Sequence, residues 1–359
     1  MTRATTNLGR TASQVVVVGK VAHGLMSMTW KPDEQCFEAI KAGIDALPSG
    51  AKMLLNGGES TTIISENVCS AGEFYGHNLS TTNLEMIARF FEKYPEYVDR
   101  TFLSIEGGLT VGAGPPLQSH RCSVPINSCL SRPENTLRSV NAVNEKLRGT
   151  KRLDLFQCAR VDPNLPVEDS IAALAKLKSQ GKLDHIEMSE CSAETLLRRG
   201  HKVGHGIGFD RRAGNQTFFL GSSDERCSNR NQSILIRARN TIIATAKELG
   251  VAVAAYSPLG RGFLTGQIKK LEDLPADNYR RHFPRFQEDN LEHNLAIVDV
   301  LTEIAKRKNI TTTQLCIGWV SSLGPHVIPL PGSSRADRTL ENCSGGDVTF
   351  TETELQEIH

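Results

Sequence analysis

Residues 153–188 read LDLFQCARVDPNLPVEDSIAALAKLKSQGKLDHIEM. Leu153–Gln157 and Leu183–Met188 predict strands, and Val167–Ser179 predicts a helix ended by Gln180-Gly181. A strand, a helix and a strand in this order make a parallel βαβ unit. The same alternation extends both ways. Gln14–Val21 is β-branched and continuous, as expected of a buried parallel strand, and a helix over Asp33–Ala46 follows it. Lys52–Leu55 predicts a strand, Asn83–Tyr94 a helix, Thr101–Ile105 a strand and Pro133–Leu147 a helix with proline in its first turn. Beyond the quoted unit come helices over Ala193–Arg199 and Ile242–Leu249, a strand over Val251–Tyr256, helices over Leu291–Arg307 and Thr312–Ser321, and a strand over Val327–Pro329. Nearly eight β/α steps with no polar linker between halves predict one (β/α)8 TIM barrel spanning residues 1–359. A doubly wound sheet fits less well, because no GxGxxG follows the first strand.

Composition narrows the class. The 359 residues are 39% hydrophobic with a net charge of +1, which argues against a partner that is nucleic acid or a membrane surface. No apolar run is long enough to span a bilayer. Nine scattered cysteines form no paired CxxC, so free thiols in a reducing cytoplasm are expected and a metal is not.

Two segments break the rhythm. Ser60–Gly72 separates a strand end from Glu73-Phe74-Tyr75-Gly76, and Gly204–Asn240 stands where the sixth barrel strand belongs. The second is rich in Gly, Ser, Asn and Arg without sustained periodicity, and a structureless loop of that length is foreign to a compact barrel. Residues 60–72 are read as an insertion and 204–240 as replacing a strand, both as translated non-coding sequence. The alternative is a pair of surface insertions.

Residues 326–343, HVIPLPGSSRADRTLENC, carry an anion-binding pattern. Two serine hydroxyls, the N–H groups of a helix start and arginine forks suit a phosphate. Glu341 and Asn342, further along, can hydrogen-bond a purine.

Several blocks then resemble the aldo-keto reductases, in the family's order and over most of the chain. They are Gly24–Trp30, Glu73-Phe74-Tyr75-Gly76, Glu106-Gly107-Gly108, Asp154–Pro163, Met188-Ser189-Glu190, Ala255–Gly266 (AYSPLGRGFLTG) and the 326–343 stretch. The resemblance is strongest to the fungal pyridoxal reductase branch. It implies NADPH-dependent reduction of a small aldehyde to an alcohol, pyridoxal to pyridoxine, in the cytoplasm and without metal. It implies Tyr75 as proton donor, with the family's aspartate position at Asn56, its lysine position at Glu106 and its histidine position at Ala159. For the cofactor it implies Ser189 and Glu190 at the nicotinamide amide and Tyr256 stacked on the ring. Ser257, Leu259 and Gly262 are implied around the pyrophosphate, Ser333, Ser334 and Arg338 at the 2'-phosphate, and Glu341 and Asn342 at the adenine. Trp30, Phe156 and Arg160 are implied at the substrate.

The departures carry chemical consequences. A carboxylate at 106 beside a phenol raises the phenol's pKa and supplies no cation. Glu187 stands where the family tends to have glycine. These two residues leave open a non-catalytic NADPH-binding relative, and the two odd segments a defective gene model. The chain ends inside what reads as the final helix, so the family's closing C-terminal segment is expected to be absent.

Overall fold

The structure is a computed structural model that describes residues 3–8, 15–58, 81–108, 132–159, 165–189, 191–202, 216–221, 242–276, 278–283 and 286–358. Tyr75, Arg160, Glu190 and the whole of 60–72 lie outside those residues.

The quoted βαβ unit folds as expected. Strand β6 (Leu155–Cys158) leads to α4 (Val167–Ser179) and then to β7 (His185–Ser189), with β6 and β7 parallel. Glu168 and Asp169 lie in the first turn of α4 and Lys176 and Lys178 in the last, which suits the helix dipole. Val167, Ile171, Leu174 and Leu177 form its buried stripe. Gly181, at φ 73°, ends the turn in a conformation that glycine adopts without strain.

The remaining barrel strands are β3 (His23–Gly24), β4 (Met53–Gly58), β5 (Thr101–Gly107), β8 (Gln216–Gly221), β9 (Ala252–Tyr256) and β10 (Val327–Leu330). β3 to β10 form one sheet in chain order, every pair parallel. The ends of the sheet meet. Ala22 N–H donates to the Pro329 carbonyl and Gly24 N–H to the Pro331 carbonyl, both at 2.9 Å, and Gly24 bridges Gly332 in parallel. Around the sheet lie α1 (Asp33–Asp45), α2 (Thr82–Lys93), α3 (Pro133–Lys146), α4, α5 (Ala193–Lys202), α6 (242–249), α7 (Glu288–Arg307), α8 (Thr312–Ser322), α9 (Ala336–Gly345) and α10 (Glu352–Ile358).

Two expectations are corrected. The valine run is not the first barrel strand: β1 (Thr5–Leu8) and β2 (Val16–Gly19) form an antiparallel hairpin across the barrel floor, and β3 opens the barrel itself. A β-branched run satisfies either pairing, so its composition does not distinguish them. The sixth strand is not replaced. Gln216–Gly221, inside the 204–240 segment, pairs with β7 on one side and β9 on the other. Its β-prone core is Thr217–Leu220, too short a run to stand out from its polar surroundings.

Alternation along the strands sorts two cores. Met53, Leu55, Leu103, Ile105, Phe156 and Ile186 pack outward against helix residues such as Ile40, Phe90, Val140 and Leu174. Leu54, Phe102, Leu155, Ala252, Ala254, Ile328 and Leu330 form the interior cluster, which Leu8 and Val18 of the hairpin join. The hairpin enters at the strands' N-terminal end, where Lys52 N–H donates to Val17 O and Gly19 N–H donates to Lys52 O.

Candidate active site and cofactor cleft

The site residues lie at the other end, toward the C-termini of the strands. Above the apolar interior layer comes a polar one, built from the same inward alternation. Asn56 on β4 donates through Nδ2 to Ser104 Oγ at 3.3 Å and Gln157 Oε1 at 3.4 Å. Ser104 Oγ in turn donates to Glu187 Oε2 at 3.3 Å. All four side chains are buried. Among the described residues, Glu187 Oε1 and Gln157 Nε2 have no hydrogen-bond partner. Burial pushes the Glu187 carboxyl well above the ordinary carboxylate range; the Glu106 charge pushes the same way and the Ser104 hydrogen bond opposes both. Glu106 is half-buried, in register with Gln157, which is in register with Glu187. Glu106 and Glu187 therefore bring two carboxyl groups into the same layer of the barrel mouth.

Several residues that the sequence did not single out anchor this mouth. Asn83 of α2 accepts from Gly58 N–H at 3.2 Å and donates to the Leu25 carbonyl at 3.1 Å, pinning the first loop to the end of β4. Asn135 donates to the Gly108 carbonyl, and Gly108 N–H donates to Ser139 Oγ at 2.9 Å, so α3 holds the end of β5. A polar residue near a helix start was the available signal in each case. Ala159, where a histidine position was expected from the resemblance, is buried and offers no side-chain donor.

The substrate expectations separate. Trp30 is 45% exposed in the loop between β3 and α1. Phe156 is fully buried in the outer sheet–helix core, so it does not flank a substrate; its neighbour Gln157 is the residue that faces inward. Arg160 lies outside the described residues.

The residues expected at the cofactor fall into two groups. Tyr256 is half-buried at the end of β9, against the interior cluster, and Ser189 is buried at the end of β7. After Tyr256 the backbone turns through positive φ at Ser257 (54°), Gly260 (56°), Arg261 (61°) and Gly262 (87°). Two of its N–H groups are used within the turn, Gly260 donating to the Ser257 carbonyl and Gly262 to the Leu259 carbonyl, both at 3.0 Å, so an anion here would be met by the others. Arg280 donates to the Arg261 carbonyl at 3.0 Å, and the Arg261 guanidinium lies 4.1 Å from the centre of the Phe283 ring. Leu259 packs on the cluster between α7 and α8.

The second group surrounds the start of α9. Ser333 Oγ donates to the Arg335 carbonyl at 3.0 Å and accepts from Arg335 N–H at 3.1 Å, so its hydroxyl shapes the turn and is not a free donor. His23 Nε2 donates to the Ser333 carbonyl at 2.9 Å, which fixes the ring's tautomer, and burial lowers its pKa to about 4. Ser334 is half-buried and Arg338 exposed. Arg338 Nη2 donates to Gln267 Oε1 at 3.4 Å, linking α9 to the irregular segment that follows the Ser257–Gly266 turn. Glu341 is half-buried, whereas Asn342 is 5% exposed and lies with Thr339 on the packed face of α9. Asn342 is thus turned away from the open side on which an adenine contact was expected.

The serine–arginine turn before α9, the left-handed turn after β9 and the half-buried Tyr256 at the barrel mouth together suit a phosphorylated dinucleotide. The residues present fit that group on the side of the phosphates.

The model of the Aldo/keto reductase family matches residues 66–359. A Schizosaccharomyces pombe protein provisionally named pyridoxal reductase 2 is 30% identical over 349 residues, 95% of this chain and 90% of its own length. A Saccharomyces cerevisiae protein provisionally named pyridoxal reductase is 30% identical over 360 residues, 94% of this chain and 91% of its own. An aldo-keto reductase of Strobilurus tenacellus is 35% identical over 210 residues, 58% of each chain. Among solved structures, a glycerol dehydrogenase from Gluconobacter oxydans superposes with a TM-score of 0.70 at 21% identity, covering 99% of this chain and 93% of that one. With its parallel barrel and this match over most of its length, the chain belongs to the aldo/keto reductase family of oxidoreductases.

Proposed function

We propose that the chain is an NADPH-dependent aldehyde reductase of the pyridoxal reductase type, acting on pyridoxal to give pyridoxine. The observation that carries this reading is the similarity to two yeast proteins named for that activity along nearly the whole chain. Bound NADPH would supply the hydride. In this reading Ser334 and Arg338 hold the 2'-phosphate, the Ser257–Gly262 turn holds the pyrophosphate, Tyr256 lies under the nicotinamide and Ser189 with Glu190 meets its amide. Glu341 lies at the adenine, and Trp30 with Arg160 at the aldehyde. Tyr75 donates the proton that the carbonyl oxygen takes as charge develops there.

The polar layer favours a second reading beside it. A carboxylate at 106, where a cation would assist a phenol, disfavours proton donation, while Ser334 and Arg338 still offer donors on the phosphate side. A chain that binds NADPH without turning over substrate fits this arrangement. Titration of the purified chain with NADPH, followed by a pyridoxal assay, separates the two. Binding with turnover supports the reductase, binding alone the second reading, and no binding sinks both. The two odd segments are tested by sequencing the mature transcript; a message that encodes both makes them part of the protein.

A further inference from the structure

Gln35, in the first turns of α1, belongs to none of the patterns read from the sequence. Its Nε2 donates to the Ser334 carbonyl at 2.8 Å and to Ser334 Oγ at 3.3 Å. A carbonyl accepts only, so the amide's orientation is settled by its partner. The two serines of the turn are thereby given different tasks. Ser333 spends its proton on the Arg335 carbonyl and a lone pair on Arg335 N–H. Ser334 has a lone pair engaged by Gln35, and its hydroxyl proton stays available to an acceptor in front of α9. The neighbouring arginines sort similarly: Arg335 is committed to Asp337, while among the described residues Arg338 reaches Gln267 alone.

We propose that Gln35 is a positioning residue that orients Ser334 toward the 2'-phosphate and so sets the chain's preference for NADPH over NADH. The inference rests on the reading of the cleft as an NADPH site. Gln35 acts through Ser334 on the phosphate end of the nucleotide, not on the reacting atoms. Its bond to the Ser334 carbonyl also holds that partial negative charge on the α1 side of the turn. The platform carrying Gln35 is firm. Asp33 in the same turn takes two hydrogen bonds from Arg89 of α2, at 2.6 and 2.9 Å, and a Cβ at Gly43 would lie 3.1 Å from Thr339 Cγ2 of α9. Gln35 thus reaches the turn from a helix already packed against both neighbours.

The test uses the full chain and two cofactors differing only in the 2'-phosphate. Fluorescence titration of Gln35→Met, which keeps the side chain's length and loses its donor, should raise the Kd for NADPH about tenfold, as the loss of one well-placed hydrogen bond does. The Kd for NADH should stay within about twofold, which also reports that the barrel is folded. Ser334→Ala should give the same selective loss, and the double variant should add little to either. An unchanged NADPH-to-NADH ratio in Gln35→Met, or equal weakening of both cofactors, overturns the role of Gln35. If the unaltered chain binds neither cofactor, the NADPH reading itself falls and takes this inference with it.

Discussion

Single residues decide how the polar layer behaves. Glu187 is fully buried with one carboxyl oxygen unpartnered among the described residues, and Glu106 is the nearby charge that adds to its raised pKa. Placing a cation at 106 changes both relations, because it would pair with Glu187 and favour ionisation of a neighbouring phenol. Glu106→Lys should therefore raise the rate of pyridoxal reduction about 100-fold or more, followed by loss of NADPH absorbance; such a factor needs only about 3 kcal/mol of barrier. No gain in a folded, NADPH-binding variant would remove Glu106 from the site. His23 makes a prediction in pH. Its pKa in the fold is about 4 against an ordinary 6.5, so the folded chain binds fewer protons here than the unfolded chain. The stability this neutral ring confers is present above pH 6.5 and is lost as pH falls from 6.5 to about 4, a span worth roughly 3 kcal/mol. Urea unfolding at a series of pH values should record that decline. His23→Asn, whose amide does not titrate, should flatten much of the slope; an unchanged slope would assign the decline to other groups, such as His326, whose pKa is also lowered by burial.

At the scale of elements, what the sequence reveals depends on how many solutions a pattern admits. The helix Val167–Ser179 was legible to the residue because an apolar stripe, a glycine stop and charges of the right sign at each end agree. Barrel strands are buried on both faces, so their apolar runs do not say which side is inward. That is why Phe156 read as a pocket residue when Gln157 holds the interior position. The phosphate side was legible as residue types, Ser-Ser-Arg before a helix, but the division of labour between Ser333 and Ser334 depends on Gln35, 299 residues from Ser334 in the chain. The seating of α9 was equally hidden. A Cβ at Gly345 would lie 2.7 Å from both Cβ and Cγ2 of Ile317 on α8, so α9 approaches α8 closely enough that only glycine fits. Gly345→Ala should cost about 1–3 kcal/mol through overpacking. Because α9 carries Arg338 and Glu341, it should also weaken NADPH binding. Chemical denaturation and cofactor titration on the same variant measure both, and a stable variant with unaltered affinity would show the crossing to be slack.

Across the whole molecule, stability and chemistry occupy opposite ends of one barrel. The floor is closed by the β1–β2 hairpin, whose Leu8 and Val18 join the interior cluster with Leu54, Phe102 and Leu155. It is tied down around its edge. Thr6 Oγ1 donates to the Pro325 carbonyl at 2.6 Å, Lys20 Nζ donates to the carbonyls of Gly324 and Val327 at 2.9 and 2.8 Å, and Arg3 pairs with Asp347. The buried polar layer and the residues proposed for the cofactor lie above, separated from this floor by the apolar interior. A cavity made at the floor should therefore be felt as stability and not as binding. Leu8→Ala, at a residue 2% exposed, should cost about 2–5 kcal/mol in urea unfolding. The NADPH Kd measured well below the unfolding midpoint should stay unchanged within about twofold, because no described contact runs from Leu8 to Ser334, Arg338 or the Ser257–Gly262 turn. A comparable loss of affinity would mean that floor and mouth move as one body, and the separation of the two ends would have to be abandoned.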